Sequence, residues 1–544
     1  MTTARKKVLF FTPFAGIWPH ALPESFLSKC LDSNIFEVCR IECDGTFNHH
    51  CTVMEANGLD IENTQERKNA ICKGCIRDAK LLRTAYSGSS YLISNYLNTA
   101  DFTKANDIVE CLKENDFREL IYLGVEIGQI AAYEVLIKFK KTHSTFIGRE
   151  FIYYKTYVLN SLLSLMAFEK LYRVIQPDIL VCYSPQYAVP GVCARYCELK
   201  GKKVYFIEGS SNIAERYKSL RVWDWTVFGL TNPALHYWAK VDSFNITKDD
   251  YFRIDKHVNR LLDASSFSVY SEAATGQFDM RAHFNIPPGA KVFLAAMSSY
   301  DEVYSAYVIN RFPANKYISG VFKDQLEWIK CTIEFFSTHP EMFLIIRIHP
   351  RTFPTNRSSV MAHEQNELSK ILATLPENVK ANVPSEKISI YDLYPQIDAL
   401  VTGWSATGME AMLFKVPVIT YDRNLPSYPS DIHYASDSRL EYYSNLIKAL
   451  SSGKQIAVAD NARRWLAFSL SVGVISHPPV LHDSDFVRNN NFVRFFYRGI
   501  TWLLPSIFKR IEAWQHIRSP SEIYRLNSLL KSGGQSLYDI PRVP

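Results

Sequence analysis

The stretch Asp398-Ala-Leu-Val-Thr-Gly-Trp-Ser-Ala-Thr-Gly-Met-Glu-Ala-Met-Leu-Phe-Lys-Val-Pro-Val-Ile419 decides the architecture. An apolar run too short for a helix ends at Thr402, a helix begins near Ser405, and Val416-Pro-Val-Ile resumes a buried strand. Strand, tight turn, helix, strand is the repeating unit of a parallel α/β sheet. Small and hydroxylated residues fill the turn, where the unpaired N–H groups of a helix start point outward. Such a start attracts phosphate, because free donors and the helix dipole both favour negative charge there. Ser405 and Thr407 add hydroxyls, and Glu410, one turn further on, is placed to accept from ribose hydroxyls. A plain helix cap at Ser405 is the competing reading.

The same logic extends outward from this unit. Phe284-Asn-Ile-Pro-Pro-Gly-Ala-Lys-Val-Phe-Leu-Ala-Ala-Met297 is a turn that delivers the chain into a buried strand. A helix over 323–338, a strand from Phe343, and a helix over 363–375 follow. Nearer the N-terminus, Val8-Leu-Phe-Phe11, Phe36 to Ile41, Glu119-Leu-Ile-Tyr-Leu123, Asp178-Ile-Leu-Val-Cys-Tyr183 and Lys203-Val-Tyr-Phe-Ile207 read as further strands. The last three look buried and parallel, being apolar without alternation. An amphipathic helix over 247–262 leads into the Ser/Ala/Gly-rich segment 264–276, the best candidate for a linker. The expected division is an N-terminal α/β lobe over 1–265, a C-terminal α/β lobe over 266–480 and a helical tail over 481–544.

A chain of 544 residues is too long for one ordinary core, in keeping with two lobes. At 47% hydrophobic and 21% charged residues the composition is that of a globular protein. A net charge of +6 suits contact with phosphates or an anionic membrane face, and it is too weak to argue for nucleic acid. No window approaches the roughly 18 to 20 apolar residues that span a bilayer. The apolar run after Lys7 is too short for a signal-peptide core, so a cytoplasmic location is expected.

A second motif, Ile346-Arg-Ile-His-Pro-Arg351, ends a strand on His349 and Arg351. Ligands of open α/β sheets bind beyond the carboxyl ends of the strands. The proline holds His349 in an extended conformation, its ring towards the crevice. In the order strand–His-Pro, then strand–Thr-Gly-Trp-Ser-Ala-Thr-Gly-Met-Glu-Ala, then Pro-Val-Ile, residues 284 to 425 resemble the C-terminal lobe of GT-B glycosyltransferases. The likeness is greatest to bacterial capsule and lipopolysaccharide enzymes of the Kdo-transferase-like and sialyltransferase-like groups. It implies two Rossmann-like lobes facing an interlobe cleft. It also implies a nucleotide-sugar donor held by the His-Pro element and the helix start, and a glycan or lipid-linked glycan acceptor. CMP is the nucleotide often held there. Where that family carries Ser-Ser or Ser-Thr, this sequence has Ser405-Ala406-Thr407. Ser298, Ser299 and Tyr300, after the first strand of the second lobe, are further donor candidates. A nucleotide-sugar epimerase of the same fold and a non-catalytic polysaccharide-assembly scaffold are the alternatives.

In such enzymes the base usually belongs to the N-terminal lobe. Two residues compete for that role: Glu208, at the end of a strand, and His20, in the loop Trp18 to Glu24. Glu208 also has the chemistry of a nucleophile in a double displacement. No cofactor is expected for catalysis. Cys43, Cys51, Cys72 and Cys75, with Cys72 and Cys75 forming a CxxC, mark a cysteine-rich insertion over 43–75. They fit a structural zinc, unliganded thiols, or an iron–sulfur or redox role. In the tail, Arg488, Arg494, Arg498, Lys509 and Arg510 interleave with aromatic residues. That pattern fits either the inner face of a membrane or packing back on the first lobe.

Overall fold

The computed structural model describes residues 4–86, 88–114, 116–264, 269–312, 318–354, 359–480 and 505–542. Two sheets organise them. The first has the order β13-β6-β5-β4-β1-β2-β3, and the second β12-β11-β10-β7-β8-β9. In the first sheet, β1 (Lys6–Thr12), β2 (Phe36–Glu42), β3 (Ser89–Leu92), β4 (Ile179–Tyr183) and β5 (Lys203–Gly209) run parallel. Antiparallel β6 (Ser219–Asp224) and β13 (Val474–Ser476) complete its far edge. The second sheet is parallel throughout: β7 (Lys291–Ala296), β8 (Met342–Arg347), β9 (Val379–Asn382), β10 (Ala399–Thr402), β11 (Val418–Thr420) and β12 (Tyr434–Ala435). Both parallel sets therefore reverse direction of growth once, between β1 and β4 and between β7 and β10. This is the doubly wound Rossmann arrangement, and the chain is an α/β protein of two such lobes facing a cleft.

The unbroken apolar runs have a simple cause: both faces of each sheet are covered. Leu9 and Phe11 pack into one core cluster while Val8 and Phe10, on the opposite face, pack into another. Val292 and Leu294 likewise face away from Phe293 and Ala295. The lobes also touch beside the cleft. Arg311 pairs with Glu198 at 2.8 Å, and the hydroxyls of Ser144 and Tyr304 are 2.7 Å apart.

Three segments differ from the sequence reading. Glu119 to Leu123 is no strand. Tyr122 turns back to bridge Val125 through Leu123 and Gly124, both at positive φ, leaving Ile121 and Leu123 exposed. The loop expected over Trp18 to Glu24 is the start of the helix Trp18–Lys29, because a proline in its first turn removes an N–H that has no helical partner anyway. The cysteine-rich segment belongs to the crossover from β2 to β3, whose main helix is Gln65–Ala85.

The chain returns to the first lobe ahead of residue 480. Helix Ile456–Ala467 runs into a π-helical turn, Phe468–Val472, and then into β13 on the first sheet. Residues 481–504, which carry Arg488, Arg494 and Arg498, lie outside the described set. Beyond them, helices Pro505–Trp514 and Pro520–Ser532 pack on the first lobe. Trp18 donates to Glu512 at 2.7 Å and Lys509 pairs with Asp78 at 2.6 Å. Among the described residues no helix is long and apolar enough to cross a membrane.

Arg525 anchors this return. It is buried, and it donates to the carbonyls of Val474 at 2.9 Å and Val472 at 2.8 Å. Arg525→Ala leaves those carbonyls without their partner, so a destabilisation of about 3 kcal/mol is expected. In urea denaturation this reads as a lower midpoint.

Candidate functional site

A cleft of about 670 Å³ opens between the lobes at the carboxyl ends of β7, β8 and β10. These strands flank the point where the second sheet reverses, which is where open α/β sheets bind their ligands. Ser298, Ser299, His349, Ser405, Thr407 and Glu410 all line it. The sequence predicted each as a donor contact, and the fold brings them to one wall.

Local geometry fixes each of them. Ser405 is extended and caps helix Ala406–Leu413, its Oγ accepting from the Thr407 N–H at 3.2 Å and lying 2.6 Å from the Thr407 hydroxyl. Gly408 permits this turn to be covered, since a Cβ there would fall 2.1 Å from the Tyr428 hydroxyl. His349 Nδ1 accepts from the Arg351 N–H at 3.2 Å. Burial, with Arg351, Arg347 and Lys140 nearby, lowers the His349 pKa to about 3. The ring is therefore neutral, and with Nδ1 committed as acceptor its proton resides on Nε2, which is a donor. Burial pushes the Glu410 carboxyl up to about 7, with hydrogen bonds from the Tyr391 and Tyr394 hydroxyls pulling the other way. The Tyr391 hydroxyl lies 3.2 Å from it.

Arg351 and Tyr300 stand apart from the cleft, lining a small neighbouring pocket. Arg351 is committed to Asp301, with which it forms an ion pair, and to the Ser299 hydroxyl at 2.8 Å. It holds the strand-end loop of β7 against that of β8 and is not open to a phosphate.

Neither residue expected as base lines the cleft. Glu208 is bound to Arg221 across the β5–β6 register, and Arg221 is the member of the pair that faces the cavity. His20 stacks on Tyr183 at 4.2 Å, and burial, reinforced by Arg216, lowers its pKa to about 3. Arg216 in turn lines the cleft. From the first lobe two guanidinium groups therefore line the cleft, together with the ring of His257, whose Nδ1 accepts from the Ile213 N–H at 3.1 Å and whose pKa burial lowers to about 4.

The carboxyl groups of the cleft, Glu302 and Glu410, both come from the second lobe. Glu302 is 44% exposed; the desolvation of its inner face, with Asp301 beside it, raises its carboxyl pKa, opposed by Arg351. The signal for it was present in Ser298-Ser-Tyr-Asp-Glu302, which follows β7, but spacing alone could not show which of the two acids turns inward. Asp301 is buried against Arg351, whereas Glu302 is partly exposed in the cavity, with one oxygen 3.5 Å from the same guanidinium. The Ser298 hydroxyl, the Trp404 indole N–H and the Tyr428 hydroxyl also line the cleft, buried and without a hydrogen-bond partner among the described residues. They are polar groups available to a ligand.

The four cysteines line a separate small cavity in the first lobe. Burial raises the pKa of Cys43 to about 11 and that of Cys51 to about 12. Among the described residues, no three His, Cys, Asp or Glu side chains are gathered as a single metal ion requires.

No protein-family model matches the chain. A search of curated proteins also finds no match. Among solved structures, it is similar to KpsC, a β-Kdo 2,7 transferase of Thermosulfurimonas dismutans, at 14% identity and a TM-score of 0.33. That match covers 61% of this chain and 89% of the other. It is similar also to UDP-GlcNAc 2-epimerase of Methanocaldococcus jannaschii, at 13% identity and a TM-score of 0.26, over 85% and 97% of the two chains. A third is the glycosyltransferase SnogD of Streptomyces nogalater, at 10% identity and a TM-score of 0.25, over 86% and 96%. Likeness this slight assigns no donor, acceptor or reaction.

Glu410 yields a stability prediction. The folded protein holds its proton more tightly than the unfolded chain, so ionisation weakens the fold. Its contribution is present in full below about pH 4.5 and is lost as pH rises to about 7. Glu410→Gln should flatten that part of a plot of melting temperature against pH.

Proposed function

We propose that the chain is a glycosyltransferase that binds a nucleotide-activated sugar in the interlobe cleft and passes the sugar to a glycan or lipid-linked glycan of a bacterial surface polysaccharide. One observation carries this reading: the capped helix start at Ser405 and the Nε2 donor of His349 converge on a single cleft at the switch point of the second sheet. The resemblance of residues 284 to 425 to capsule and lipopolysaccharide enzymes supports the choice of acceptor class.

In this reading the donor phosphate rests on the first N–H groups of helix Ala406–Leu413 and on His349, with Glu410 accepting from the ribose. The leaving nucleotide gathers negative charge in the transition state, and these donors are already aimed at it. Arg216 and Arg221 face the same space from the first lobe. Glu302 takes the proton of the acceptor hydroxyl, since a carboxyl of raised pKa is matched to that task. Glu208 and His20 act through the two arginines as positioning residues.

Thermal-shift titrations with CMP, CDP, UDP, GDP and ADP test the donor site. One of these should raise the melting temperature by mass action. His349→Ala and Ser405→Ala should each weaken that nucleotide by about 10- to 100-fold, the value of a charge-assisted hydrogen bond. Normal nucleotide binding by both variants would place the donor elsewhere. Turnover of the donor to a free isomer with no acceptor present would instead mark an epimerase.

Glu302→Gln should lower kcat by about 100- to 10,000-fold while leaving donor affinity unchanged. For the unsubstituted protein, kcat/KM should fall as pH drops, with a midpoint above the ordinary carboxyl value of 4.5, where Glu302 takes up its proton. Unchanged turnover in Glu302→Gln would return the role of base to Glu208 or His20.

A further inference from the structure

Helix Pro505–Trp514 has two sides, and the cleft uses neither. Its inner side is fixed to the first lobe. Lys509 pairs with buried Asp78 of helix Gln65–Ala85 at 2.6 Å, Glu512 accepts from Trp18 at 2.7 Å, and Lys29 donates to the Gln515 carbonyl at 2.9 Å. Its outer side is open. Ile511 is 56% exposed and Trp514 64%, with Arg510 exposed beside them. Trp514 is the only exposed tryptophan among the described residues. An indole left in water forgoes the largest apolar gain a side chain can make, so its position calls for a partner.

The helix it packs on supplies charge of one sign. Lys73, Arg77 and Lys80 fall at i, i+4 and i+7 of helix Gln65–Ala85, on one exposed face. Among the described residues none of these three, nor Arg510, has an ion pair. Between residues 67 and 85 the only acid is Asp78, and between 509 and 518 the only one is Glu512. Both are buried in the contacts just given. The outer faces of the two packed helices are therefore basic without relief, and two large apolar side chains project from them. Like charges repel across such a surface, and negative charge outside the chain removes that cost.

The distribution of the apolar groups selects the partner. A protein interface is built on a contiguous apolar core with its charges at the rim. Here the apolar contacts are two points set among bases. An anionic bilayer asks for that arrangement, with an indole at headgroup level, an aliphatic tip below it, and basic side chains reaching the phosphates. We propose that the outer faces of helices Gln65–Ala85 and Pro505–Trp514 dock on an anionic lipid bilayer. Trp514 and Ile511 enter the interface, and Lys73, Arg77, Lys80 and Arg510 meet the lipid phosphates. The tail thus packs on the first lobe with one side and meets the membrane with the other. The proposal does not rest on the reaction assigned to the cleft, which none of these six residues lines.

The test is sedimentation of the full chain with vesicles of phosphatidylcholine alone and of phosphatidylcholine mixed with an equal amount of phosphatidylglycerol. Binding to the mixed vesicles alone is expected, and it should be lost at about 0.5 M salt, where surface charges are screened. Lys73→Glu, Arg77→Glu and Lys80→Glu combined should weaken it by about 100-fold or more, since each base near an anionic surface contributes about fivefold. Trp514→Ala should weaken it by about tenfold. Both variants change exposed side chains only, so the melting temperature, with and without nucleotide, should stay as it was. Binding to neither kind of vesicle, equal binding to both, or unchanged binding by both variants would overturn the proposal. Retention on immobilised polyglutamate without vesicle binding would also overturn it, and would assign the face to an acidic protein.

Discussion

At the end of β10 the Thr402 hydroxyl donates to the Ala296 carbonyl of β7, 2.9 Å away and fully buried. This bond closes the seam between the two strands at which the second sheet changes direction. Beyond it the two chains must part, β7 towards the helix Tyr300–Val308 and β10 towards the helix Ala406–Leu413. The layout of this wall of the cleft follows from that divergence. Ser298 and Ser299 ride on one branch, Ser405 and Thr407 on the other, and His349 reaches the gap from β8. The Arg351 pairing with Asp301 and Ser299 fastens the loops after β7 and β8 to each other beside this gap.

The second lobe was legible because its determinants are local. A parallel strand covered on both faces leaves an unbroken apolar run, and the residue that follows such a strand lies near the carboxyl edge whatever the rest of the chain does. Hence Ser298, His349 and Ser405 could be placed from short stretches of sequence. Direction within a loop is another matter. Arg351 is two residues from His349, yet it turns to Asp301, because an ion pair with a neighbouring loop is invisible to spacing.

The first lobe was harder for the same reason. Glu208 does end a parallel strand, but its partner is Arg221 on β6, an antiparallel strand of mixed polarity that no run of apolar residues announces. Once that strand is in place, the arginine takes the cleft and the carboxylate stands behind it. Glu119 to Leu123 errs in the opposite sense. It has strand composition, but the turn at Leu123 and Gly124 folds it on itself at the surface. The cysteines were readable as a group, whereas the void between them depends on how far helix Gln65–Ala85 stands from β2.

The return of the chain through the π-helical turn Phe468–Val472 has a mechanical consequence. The lobes are joined by two strands of backbone, one after helix Lys248–Leu262 and one through that turn, and the second is riveted to the first sheet by β13 and Arg525. Two tethers define an axis, as two pins define a door. A rigid-body opening of the cleft is then a swing about the line joining them, with little freedom to twist. A π-helical turn, wound more widely than the helix it interrupts, is a natural place for that bending to concentrate.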